Sequence, residues 1–125
     1  MTTALVATFL FLHGLVHLQV WLARTGGDEP FDPGRSWVLA AAGLPQARFM
    51  RVTAVGLASV TATLYVIAGS ATAAQSGGLA TAAVLAAAVE LVLKALWFNP
   101  WLSLGVLLDV GVITAVLTNW PASLY

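Results

Sequence analysis

The sequence predicts an all-α fold, an integral membrane bundle of four transmembrane helices with a short interfacial or re-entrant segment between the first and the second. Three observations predict it. Charged residues make up 8% of the 125 residues, 60% are hydrophobic and mean hydropathy is +0.93, whereas soluble domains carry about 25% charged residues. Apolar stretches approaching the roughly 20 residues that cross a bilayer occur four times. Together with their turns they use nearly the whole chain, so a single transmembrane domain over 1–125 is expected.

The first span is expected over about 3–23, ended by the breaker Arg24-Thr25-Gly26-Gly27 and a polar stretch holding Asp28, Glu29, Asp32 and two prolines. Residues 36–44 are apolar but too short to cross, which predicts an interfacial piece anchored by Trp37 and stopped by Pro45. A second span over about 49–70 is rich in Ala, Thr, Ser and Gly, the residues that let membrane helices approach closely. After an uncharged turn, a third span is expected over about 78–98. Asn99-Pro100 then forces a tight reversal into a fourth over about 101–119, making the last two antiparallel neighbours.

Arg24, Arg35, Arg48, Arg51 and Lys94 all fall on the side of the long loop, and the opposite side has no basic side chain. The positive-inside rule therefore predicts a multi-pass cell-membrane protein with that loop cytoplasmic and both termini outside. Trp21, Trp37, Trp97 and Trp101 fit an aromatic belt at the loop side, and Trp120 with Tyr125 fits one opposite. A cleavable signal peptide is not expected, because the first span lacks a basic leader and carries two histidines. Net charge is zero, with five basic and five acidic residues, so there is no basic stripe and nucleic acid is not an expected partner. The absence of cysteine excludes disulfides, iron–sulfur clusters and thiolate metal sites.

Ionisable side chains inside spans are costly, by several kcal/mol on insertion scales, and mark function by default. Here they are His13 and His17 on the first span, Glu90 and Lys94 on the third and Asp109 on the fourth, with Arg51 at the mouth of the second. At about 1.5 Å rise per residue from the loop side, all lie within roughly 15 Å of it. Tyr65 and hydroxyls are left to the opposite leaflet. The pairs His13/His17 and Glu90/Lys94 are spaced i, i+4 and share faces, and Gly105, one turn from Asp109, leaves room for a neighbour. Arg51 shares a stripe with Val55, Ala58, Ala62 and Tyr65. One polar pocket opening toward the loop side is the expectation.

Two imidazoles four residues apart can chelate a divalent metal, with Glu90 or Asp109 completing the set. They can equally form a metal-free polar pair hydrogen-bonding across helices. Glu90 and Lys94 can simply neutralise one another, whereas Asp109 has no partner on its own helix and must find one elsewhere.

The run Phe11-Leu12-His13-Gly14-Leu15-Val16-His17-Leu18 resembles the first helix of a broad group of small four-helix bacterial membrane proteins with an H-G-L-[IV]-H-L pattern. That group also has an acidic residue close to a glycine near its last helix, matched here by Gly105, Asp109 and Gly111. The resemblance implies that the histidine pair and Asp109 belong together, and it brings no activity with it.

Three functions are compatible with these residues. The first is a membrane-embedded enzyme doing acid–base chemistry (isomerisation, cyclisation or epoxide opening) on a lipophilic small molecule or lipid that enters from the bilayer. Asp109 and Glu90 would be acid and base, and His13 and His17 would relay protons or hold a metal. Arg51, Lys94 and Tyr65 would bind substrate, with Trp97, Trp101 and Phe98 shielding cationic character. No cofactor is required, and a divalent metal is the one addition this reading allows. The second is a proton-coupled carrier, working as a homodimer because four helices barely enclose a pathway. The third is an accessory subunit whose charges tie helices together.

Overall fold

The computed structural model describes residues 1–23, 31–44 and 48–125. The breaker Arg24-Thr25-Gly26-Gly27, the acidic pair Asp28 and Glu29, and the stop at Pro45 lie outside the described residues. Among the described residues there are helices and no strands. These are α1 (Thr2–Leu22), α2 (Trp37–Ala41), α3 (Arg48–Ala73), α4 (Leu79–Leu96) and α5 (Ser103–Leu117), with 3₁₀ turns at Pro100–Leu102 and Ala122–Leu124. Among the described residues four segments are long and apolar enough to cross a membrane: α1, α3, α4 and the 3₁₀ turn continued by α5.

The second long helix ends at Ala73, three residues beyond the expected limit at Ser70. Ser70 and Thr72 would oppose a helix if their hydroxyls competed for its backbone in other conformations. Instead they donate back to the carbonyls of Val66 and Ala68, both at 2.8 Å, and the helix continues past them. Asn99 works as read: its side-chain oxygen accepts from Trp101 N–H at 2.9 Å while Pro100 opens the turn that starts the last helix.

The helices pack in sequence, α1 on α3, α3 on α4 and α4 on α5. Alanines line the buried faces of α3 and α4: Ala68 shares the termini-end cluster with Ala82, Ala83, Ala86 and Ala87, and Ala54 and Ala58 share the loop-end cluster with Leu93 and Trp97, all buried. Such small side chains let backbones approach closely, so packing rather than side-chain bulk holds this pair. Gly14 does the same for α1 against α3. A methyl group there would lie 2.8 Å from Tyr65 Cβ and 3.3 Å from the Ala62 carbonyl oxygen. The glycine of the H-G-L-V-H run is thus a point at which α1 and α3 come close.

Two apolar clusters fill the bundle. One, at the end carrying the termini, includes Leu10, Ala68, Leu79, Ala83 and Val112. The other, at the long-loop end, includes Trp21, Phe31, Met50, Leu93, Trp97 and Leu102. The loop closes the second end. Phe31 sits edge-on to Trp21 with ring centres 4.9 Å apart, Trp97 Nε1 donates to the Pro33 carbonyl at 2.9 Å, and Ser36 Oγ and Trp37 Nε1 donate to the Leu96 and Ala95 carbonyls at 2.5 and 2.9 Å. The last two bonds satisfy carbonyls that the end of α4 leaves without intrahelical partners. The apolar segment after the loop is therefore the short helix α2, capped by Ser36 and tied to the end of α4.

Candidate functional site

Between the two apolar clusters lies a polar layer to which every long helix contributes. Along α4 the buried positions run Ala82, Ala83, Ala86, Ala87, Glu90, Leu93, Lys94, a single stripe of helical period in which Glu90 and Lys94 occupy core positions. His17 lies on the buried stripe of α1, with Leu10, Gly14 and Trp21. Asp109 is one of the two buried residues of α5 and is fully enclosed.

The contacts are mutual. Asp109 Oδ1 accepts from Tyr65 O–H at 2.9 Å and pairs with His13 Nε2 at 3.1 Å, and Asp109 Oδ2 accepts from Lys94 Nζ at 2.8 Å. Lys94 also donates to Glu90 Oε1. The same oxygen faces His17 Nδ1 at 2.8 Å, and Glu90 Oε2 lies 3.3 Å from His13 Nε2 without completing a hydrogen bond. Tyr65 meets the His13 ring edge-on with centres 4.8 Å apart, and Phe9 stacks on that ring at 5.5 Å. Six side chains from four helices thus form one connected network. Two carboxylates and one ammonium leave a net negative charge that a single imidazolium cancels, which is the arrangement a buried ion cluster needs to avoid uncompensated charge.

Gly105 makes room for the network. A methyl group there would lie 2.9 Å from Lys94 Cε and closer still to Nζ. The space beside Asp109 is occupied by the end of Lys94.

The structure brings His13, His17, Tyr65, Glu90, Lys94 and Asp109 together, and sets Arg51 and Trp97 apart from them. Tyr65 corrects the depth expected for it. Arg51 Nη2 donates to the Ala23 carbonyl at 2.8 Å, which puts these two residues at one level. Counting from that level, His13 is about 15 Å along α1 and Tyr65 about 21 Å along α3. Side chains of a helix lean toward its N-terminus, which for α3 is the loop side, so the long phenol reaches back to the layer its backbone has passed.

Arg51 is drawn elsewhere because α1 ends beside it with unpartnered carbonyls at the negative end of its dipole. Trp97 is buried in the loop-end cluster with its indole N–H given to Pro33. Phe98 is exposed. Trp101 alone of the expected aromatic residues borders the polar layer, where Trp21 joins it. Thr61, one turn before Tyr65 on the buried face of α3, has a hydroxyl without a hydrogen-bond partner among the described residues.

The bundle does not close. Among the described residues α1 and α5 scarcely approach at the backbone, and two cavities open between them. The first, about 170 Å³, is bordered by His13, His17, Glu90, Lys94, Trp21, Trp101 and Gly105. The second, about 410 Å³, lies toward the chain termini and is lined by apolar residues including Leu5, Phe9, Leu10, Leu107, Gly111 and Val112. Leu108 borders both.

His13, Glu90 and Asp109 each offer a ligand atom within 4.8 Å of the others, a group that could hold a metal ion. That set differs from the His13/His17 chelate expected from spacing, since His17 turns Nδ1 to Glu90. Lys94, bonded to both carboxylates, already supplies a positive charge there.

Comparison of the chain with protein-family models, with curated proteins and with solved structures gives no match in any of the three. The H-G-L-V-H-L resemblance rests on its own residues.

Proposed function

We propose that this chain is a membrane-embedded acid–base enzyme acting on a lipophilic small molecule that reaches the polar layer through the gap between α1 and α5. The observation that carries this reading is the juxtaposition of the six-residue network with a cavity open on the outside of the bundle. The exterior supports a membrane setting: Leu5, Leu12, Val52, Leu104, Leu107 and Leu117 are each more than half exposed, a surface that only lipid solvates well. In this setting the long loop is cytoplasmic, by the placement of the basic residues.

The chemistry follows from the partners. Asp109 with Tyr65 and Glu90 with His17 are two carboxylates, each coupled to a group that can hold or release a proton. Lys94 bridges them and would stabilise negative charge developing beside either. The apolar clusters above and below exclude water, which strengthens each of these interactions.

The reaction can be tested before the substrate is known. Purified protein is incubated in D₂O with a membrane lipid extract, and the extract is searched by mass spectrometry for a component that gains carbon-bound deuterium. The expected result is uptake in one lipophile class, absent with Asp109→Asn. Deuteration that proceeds equally with Asp109→Asn and Glu90→Gln would remove the assignment.

A proton-coupled carrier is the second reading. It is favoured by the position of the network between two apolar clusters near the middle of α1 and α5, since carriers bind near the bilayer midplane. Proteoliposome uptake driven by an imposed pH gradient would support it, and uptake indifferent to the gradient would exclude it.

A further inference from the structure

The network leaves one buried nitrogen unused. His17 is 5% exposed, its Nδ1 faces Glu90 Oε1 at 2.8 Å, and its Nε2 has no hydrogen-bond partner among the described residues. The network needs a single imidazolium, and His13, whose Nε2 lies against both carboxylates, is the ring placed to supply it; His17, with its Nδ1 proton turned to Glu90, then presents a lone pair at Nε2. Buried acceptors without a donor are costly, and His17 borders the smaller cavity.

We propose that the two cavities form one binding site for a long-chain primary alcohol, its hydroxyl donating to His17 Nε2 and its chain passing Leu108 into the apolar cavity. This rests on the acid–base reading of the network and names the molecule on which it acts, an alcohol whose chain carries a double bond: an acid adds a proton to one alkene carbon and a base removes one from the neighbouring carbon, which shifts the double bond. Three features select the class. The head must bring a donor, which His17 Nε2 lacks. It must be neutral, because a carboxylate would face Glu90 and Asp109 and an ammonium would face Lys94. The apolar cavity of about 410 Å³ is near the lower end of the roughly 300–1,000 Å³ typical of small-molecule sites, which suits one chain rather than the two of a phospholipid.

Gly111 supplies a clean blocking variant. It lines the apolar cavity, and a methyl group added there meets nothing within 4 Å, so the side chain of Gly111→Leu starts in open space and takes up cavity volume. The probe is a long-chain primary alcohol with a diazirine near the end of its chain, used on the full chain in lipid nanodiscs. Unlabelled alcohol, the matching fatty acid and the matching alkane serve as competitors. The expected result is saturable cross-linking to residues of the apolar cavity such as Leu10, Leu107 and Val112. The alcohol should compete about fivefold better than the alkane, the factor that one hydrogen bond of ordinary strength gives. His17→Phe should erase that preference, and Gly111→Leu should abolish labelling while the melting temperature holds.

Labelling spread evenly over exposed residues such as Val52 and Leu117 and indifferent to Gly111→Leu overturns the proposal, as does stronger competition by the acid than by the alcohol. Deuterium uptake into a lipophile other than an alcohol, with no cleft labelling, overturns it and leaves the acid–base reading standing. Cleft labelling without deuterium uptake supports the site and removes the enzyme reading.

Discussion

Gly105→Ala places one methyl group where the end of Lys94 lies. The new carbon would be 2.9 Å from Lys94 Cε, half an ångström short of ordinary contact, which begins at 3.4 Å, and the overlap with Nζ is worse. Lysine is flexible, so the helices need not move. Its ammonium must then withdraw, stretching the 2.8 Å bond to Asp109 Oδ2 past the ~3.2 Å at which N–H···O bonds fade. A hydrogen bond to a charged group contributes about 1.5–3 kcal/mol, and that is the expected loss of stability, read by denaturant titration in detergent. The control is Gly111→Ala on the same helix, where the added methyl meets nothing and the expected change is small. A double-mutant cycle isolates the cause. In a Lys94→Met background, where the ammonium is gone, Gly105→Ala should cost under about 0.5 kcal/mol, a coupling well above the additivity error of independent sites. Equal costs in the two backgrounds would refute the reasoning.

Other consequences follow from the same geometry. Gly14→Ala should destabilise by about 1–3 kcal/mol, because the clash is with Tyr65 Cβ and backbone rather than with a flexible tip; thermal unfolding followed by circular dichroism checks it. Tyr65→Phe removes a donor from Asp109 and should cost about 1–3 kcal/mol while lowering deuterium incorporation; unchanged values in both would separate Tyr65 from the site. Arg51→Ala should loosen the end of α1, raising amide hydrogen exchange near Leu22, and should leave lipophile deuteration as in the parent chain. Because Lys94 already supplies positive charge to both carboxylates, treatment with a chelator should leave both deuteration and melting temperature unchanged, and a loss restored by added Zn²⁺ would assign the His13, Glu90 and Asp109 group to a metal.

The network was legible where long apolar segments make an ionisable side chain conspicuous. His13, His17, Glu90, Lys94 and Asp109 stand out against apolar spans, i, i+4 spacing aligns two pairs, and a glycine one turn from Asp109 signals space that Lys94 takes. Tyr65 was misplaced because a depth count follows the backbone and ignores the lean of a long side chain toward its helix N-terminus. Arg51 could not be assigned from its stripe, since whether it turns to the pocket or to the end of α1 depends on the relative height of two helices. The opening between α1 and α5 was likewise unreadable, because both helices are apolar on nearly every face and nothing in their pattern marks a side left unpacked.

The central claim is that ionisable groups from separate helices form one connected network. Nitrogen NMR of the ¹⁵N-histidine-labelled chain tests it most directly, because the sequence holds only two histidines and single substitutions assign their ring signals. Asp109→Asn should shift the ring nitrogens of His13, and Glu90→Gln should shift those of both His13 and His17. If both histidines keep their parent signals in both variants while the protein stays folded, the network does not exist and the functional reading built on it falls.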